Sequence, residues 1–139
     1  WFNVARQTGR LLALQDQVTH TQIINRLKEQ YGDRQTVARY ARFVIRSFVA
    51  WEALIDSHGK GCYEKAALTS ILDAKLAALM FESALLATPE ARVALGLLCN
   101  SPAFFPFQLP SVTGDFISQQ SDRIEVAHHG VRDEFLSLY

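Results

Sequence analysis

Apolar residues recur at helical spacing through the first half of the chain. Phe2, Ala5, Gly9 and Leu12, joined by Leu11 and Leu14, predict a helix over 2–15. Asp16-Gln17-Val18 follows as a short strand or a simple linker. Ile23, Ile24, Leu27 and Tyr31 share one side of a second helix, while Arg26, Lys28, Glu29 and Gln30 fall elsewhere. Thr19 and Thr21 can each cap its start, because a side-chain oxygen accepts an orphan backbone N–H. Gly32 suits the left-handed position just past its end, and Asp33 suits the N-cap of a third helix from about Arg34 to about Ala53. Along that helix Val37, Ala41, Val44, Phe48 and Trp51 alternate at spacings of four and three. A helix stop and a helix start lie side by side, so the two helices must cross at a steep angle.

The third helix has a second face. Arg39, Arg42 and Arg46 also recur at three and four, with Arg34 and Gln35 at the N-terminal end. After it, Ala53-Leu54-Ile55 reads as a strand, Asp56 to Gly61 as a turn with two glycines, and Cys62-Tyr63-Glu64-Lys65 as the returning strand. His58 and Lys60 stand at the tip.

Helix, tight turn, arginine-bearing helix and Gly-x-Gly hairpin together resemble the winged helix-turn-helix superfamily over about residues 2–66. The resemblance implies a three-helix core with a small sheet, and double-stranded DNA as the default partner. On that reading Arg34, Gln35, Arg39, Arg42 and Arg46 engage the major groove or its phosphates, where a planar guanidinium matches guanine or phosphate bidentately. His58 and Lys60 engage the backbone from the wing. Winged helices also serve as protein-binding modules, so a non-catalytic adaptor in a multi-component complex is the alternative.

The second half is read more coarsely. Leu68, Ile71, Leu72, Leu76, Leu79, Met80 and Leu86 predict a helix over 66–87. Thr88-Pro89-Glu90 predicts the start of another, running through Val93, Leu95, Leu97 and Leu98 to Asn100-Ser101-Pro102. Phe104, Phe105 and Phe107, set among prolines, are expected to plug the seam between halves. Asp115–Gln120 reads as a short helix. Ile124–Ala127 and Val131–Leu138 read as strands, with His128-His129-Gly130 as their turn. This order is either a second, degenerate winged helix, with Arg123, His128 and Arg132 as a second contact set, or a hairpin that packs on the helices. The expected fold class is therefore mainly α with small β-hairpins, with domains at 1–66 and 67–139.

Charge follows the same division. The chain balances 14 basic against 14 acidic residues, but residues 1–66 carry about +4 and residues 67–139 about −4. The acidic half could dimerise or hold a protein partner. No apolar run is long enough to cross a membrane, and no signal-like segment is visible. The chain opens on Trp1, so residues can precede it. Cys62 and Cys99 are too few and too far apart for a disulfide framework or a zinc site, and fit buried thiols in a reducing cytoplasm. Adjacent His128 and His129 would point to opposite faces of a strand and could not share a metal. His58-Gly59-Lys60-Gly61 lacks phosphate-loop spacing, and no other catalytic pattern occurs. The expectation is a DNA-binding protein without enzymatic activity, metal or cofactor, of the kind found among bacterial transcription regulators and accessory factors.

Overall fold

The computed structural model describes residues 1–139 and is mixed α/β, with 47% helix and 20% strand in six α-helices and small antiparallel sheets. It forms two units, Trp1–Thr69 with Pro102–Pro106, and Ser70–Ser101 with Phe107–Tyr139. The strand content exceeds the mainly α expectation because several strands are only two or three residues long. Alternation cannot register at that length.

In the first unit the order is α1 (Phe2–Leu12), β1 (Gln17–Thr19), α2 (His20–Tyr31), α3 (Gln35–Ala50), β2 (Leu54–Asp56) and β3 (Cys62–Lys65). Thr19 ends β1 and begins α2 in a full capping box: its hydroxyl accepts from the Gln22 N–H, and the Gln22 side chain accepts from the Thr19 N–H. Gly32 takes φ of 85° after α2, as its position requires. Asp33 does not cap α3; it pairs with Lys28 at 3.1 Å, and Arg34 occupies the N-cap without a side-chain bond. The sheet runs β1-β3-β2, all antiparallel, with Val18 opposite Tyr63 and Asp56 opposite Tyr63 on the other side. Val18, Leu54 and Tyr63 turn inward onto Ile23, Ile24, Leu27, Ala41, Val44, Ile45 and Phe48.

Helix α3 stops three residues short of the expected end. Trp51 is its C-cap and Glu52 swings to φ of 60°. The Glu52 N–H then bonds the Val49 carbonyl and the Ala53 N–H bonds that of Phe48, the paired closure that seals a helix end. Trp51 therefore leaves the apolar stripe, lies 65% exposed and stacks on Trp1 at 5.2 Å. A 3₁₀ turn, Pro102–Phe104, packs on α1, and Phe105 meets Phe48 edge-on at 5.9 Å. Phe104 and Phe105 thus belong to the packing of this unit, while Phe107 is partly exposed.

The second unit contains α4 (Ala74–Leu86), β5 (Val93–Ala94), α5 (Leu95–Cys99), α6 (Gly114–Ser118), β7 (Ile124–His129) and β8 (Asp133–Leu138). Its helix α4 starts eight residues later than expected. Asp73 caps it through both the Lys75 and Leu76 N–H groups, and the stretch before it is extended. The expected helix from Pro89 is only α5. Residues Val93–Ala94 pair with β8 instead, Val93 facing Leu136. His128 and His129 lie within β7, so the hairpin turn is Gly130 to Arg132, with Gly130 at φ of 74°. The sheet order is β5-β8-β7. Both units therefore share one topology: helix, strand, helix, helix, strand, strand, with the last strand central. The chain also forms a two-stranded ladder of β4 (Thr69–Ser70) with β6 (Phe107–Gln108). No helix is long and apolar enough to cross a membrane.

Two substitutions should move stability in opposite directions. A Cβ on Gly9 would lie 1.8 Å from the Pro102 carbonyl oxygen, so Gly9→Ala should cost about 1–3 kcal/mol. Glu52→Gly removes left-handed strain and should gain about 0.5–1 kcal/mol. Urea unfolding midpoints check both.

Candidate nucleic-acid interface

Helix α3 is amphipathic in the strict sense that one side is buried and the other carries charge. Ala41, Val44, Ile45 and Phe48 face the core. Gln35, Arg39, Arg42 and Arg46, spaced four, three and four, lie together on the solvent side, all exposed. Arg34 stands exposed one residue before the helix.

The β2–β3 hairpin closes against this helix. Its turn is tied down at both ends: the Ser57 N–H bonds the Cys62 carbonyl at 2.9 Å, and the His20 N–H, at the start of α2, bonds the Gly61 carbonyl at 3.0 Å. Gly61 adopts φ of 72°, and a Cβ there would strike the His20 ring at 2.3 Å. Between turn and helix lies a cleft of about 590 Å³. Ile45 and Tyr63 contribute its apolar lining, while Arg42, Arg46, His58, Lys60, His20 and Asp56 bring its charged and titratable groups. Four of the seven residues singled out from the sequence thus meet around one concavity. Arg34, Gln35 and Arg39 do not line it; Gln35 and Arg39 continue the exposed face of α3 away from it.

One arginine is already paired. Arg46 donates to Asp56 at 2.9 Å, and the hydrogen bond to Asp56, then that to the Tyr63 hydroxyl, holds the guanidinium above its ordinary range. Arg46 is charged at any working pH. Both partners are more than half exposed, and an exposed pair of this kind is weak enough to yield to a competing anion. Arg39 and Arg42 have no carboxylate partner. Arg39 instead lies 6.0 Å from the centre of the Phe43 ring. Phe43 and Tyr40, 58% and 68% exposed, were not among the residues singled out from the sequence. Phe43 follows Arg39 by four, as Arg39 follows Gln35, and that spacing was the available signal.

In the second unit Arg123, His128 and Arg132 have acidic neighbours. Arg123 pairs with Glu82 at 3.3 Å. His128 has Asp115 Oδ1 at 3.1 Å from Nε2 and Glu134 Oε1 at 4.0 Å from Nδ1, and the other Glu134 oxygen accepts the Gly114 N–H. Asp115, His128 and Glu134 could together approach a metal ion, their ligand atoms lying within 4.8 Å of one another. The two carboxylates address different ring nitrogens, however, whereas a metal uses one. Arg132 lies beside Asp133 and Glu134 around a shallow cleft. Burial pushes the Cys99 thiol up, away from reactive thiolate character. No protein-family model matches the chain, nor does any curated protein or solved structure.

The basic cleft should depend on Gly61. Gly61→Ala adds both backbone strain and the clash with His20, and should destabilise the unit by about 1–3 kcal/mol. Amide exchange in β3 and the α2 N-terminus should accelerate together.

Proposed function

We propose that the chain is a non-enzymatic DNA-binding protein whose first unit is a winged helix, with α3 in the major groove and the β2–β3 hairpin as the wing against the backbone. The observation that carries this reading is the convergence of Arg42, Arg46, His58 and Lys60 on one cleft, with Arg39 and Gln35 extending the same face along α3. A phosphate seated in the cleft would meet donors from helix and hairpin together. It could also draw Arg46 off Asp56. Arg39 and Gln35 would then lie toward base edges, where a guanidinium suits guanine and an amide suits adenine. The second unit, with its matching strand order, is read as a degenerate winged helix. Its third helix is five residues long, carries Asp115 rather than arginine, and suits no nucleic acid. A bacterial-type regulator or accessory factor in the cytoplasm accommodates these features.

Binding to random duplex DNA should weaken with salt at a log-log slope of roughly −3 to −4, as four phosphate contacts imply. Arg39→Ala should cost on the order of 1–3 kcal/mol as a base reader, whereas Arg42→Ala should weaken binding across sequences and lower the slope by about one. Asp56→Asn, which frees Arg46 before DNA arrives, should tighten binding at a given salt while leaving the slope unchanged. Absence of retardation in low-salt gel shifts would remove the DNA reading.

One observation favours a second reading, a protein-binding adaptor. Leu76, Leu79 and Leu86, all exposed, form a leucine seam along α4 at spacings of three and seven. Such a seam packs against a like helix, and a second copy of this chain supplies one. One helix face falls short of the roughly 800 Å² per partner of a standard interface, so the dimer should be weak. Sedimentation equilibrium should show mass rising with concentration, and Leu79→Glu should hold the chain monomeric.

A further inference from the structure

The DNA reading leaves two exposed rings on α3 without a task, Tyr40 and Phe43, and Phe43 is the one in line with the arginines. Phe43 lies on the outward line of the helix, four residues after Arg39 and three before Arg46, and its ring is 58% exposed. The core of the unit does not need it: Ala41, Val44, Ile45 and Phe48 already fill the buried side. The ring meets the Arg39 guanidinium at 6.0 Å from its centre, and its apolar surface is otherwise open to a ligand.

Resting on that DNA reading, we propose that Phe43 is a base-reading contact that selects thymine through its C5-methyl group. The major-groove edges of guanine, adenine and cytosine present acceptors and donors, which a phenyl ring cannot satisfy. Thymine alone presents a methyl group there. The neighbours on α3 divide the remaining work. Gln35 and Arg39, each one turn further toward the N-terminus, carry the amide and guanidinium that address polar edges. Arg42 and Arg46 turn to the cleft and its phosphate. Arg39 lies over the Phe43 ring at 6.0 Å, which orients the guanidinium along the helix and holds the ring against it. A thymine methyl would cover the face of the ring that now meets water.

The test uses two duplexes of the same mixed sequence, one with thymine and one with uracil throughout, titrated with the whole chain at fixed salt. The native protein should bind the thymine duplex about fourfold more tightly, the ratio one buried methyl group carries. Phe43→Ala should bind both duplexes equally, and its thermal melt should match the native protein because the side chain lies outside the core. Phe43→Leu should keep part of the preference. Equal native affinity for the two duplexes overturns the proposal while leaving DNA binding intact. Tighter binding to the single strand, lost in Phe43→Ala, assigns the ring to base stacking and also overturns it. Retention of neither duplex at low salt removes the DNA reading and this inference with it.

Discussion

Strand β3 lies between β1 and β2, and the basic cleft depends on that placement. A hairpin of two short strands is marginal by itself in water. Here β3 is held on its other edge by β1, with Thr19 opposite Cys62, and the turn is fastened to the head of α2 through Gly61. The same three residues of β1 feed directly into α2, whose capping box fixes the angle at which that helix leaves. One ladder therefore sets the direction of α2, the height of the hairpin over α3, and the distance between Lys60 and Arg42. Ile45 and Tyr63, from helix and sheet, line the resulting cleft and keep it from being a bare gap.

Much of this was legible because its signals are local. The caps at Thr19 and Gly32, the two-faced spacing of α3 and the glycines of the first hairpin each follow from a few neighbouring residues. Errors arose where tertiary pairing overrode a local signal. Thr88-Pro89-Glu90 is a sound helix start, yet Val93 and Ala94 are captured by β8. Leucines from 68 onward have helical spacing, yet Asp73 supplies a stronger start by accepting two N–H groups at once. The α3 terminus was hidden because Glu52 holds a left-handed position without the glycine that usually marks it. Phe43 lies off the apolar stripe that holds Phe48 and shares the arginine spacing instead, which its exposure bears out.

Ion pairing separates the two units more than topology does. Arg46 is the first unit's one paired arginine on α3, and its partner is exposed. Arg123 is held by Glu82, whose carboxylate is largely buried and also accepts from the Ser121 hydroxyl. Pairs of the second kind do not open to a competing anion without stranding a buried charge, which is costly. His128 stands between Asp115 and Glu134, but as exposed as the Arg46–Asp56 pair. The acidic balance of the second unit is therefore built into its framework and is not merely spread over its surface.

A shared topology thus carries two unlike surfaces, and the difference comes down to the third helix of each unit. In the first it is sixteen residues long, enough turns for one side to anchor the core while another presents Gln35, Arg39, Arg42, Phe43 and Arg46. In the second it is five residues long, little more than one turn, with Ile117 buried and Asp115 committed to His128. A helix that short cannot present a periodic face. What the second unit exposes instead is Leu76, Leu79 and Leu86 on α4, whose other side buries Ala77, Ala78, Phe81, Ala84 and Leu85. Length of the third helix therefore decides whether a unit of this topology can present a periodic charged face at all.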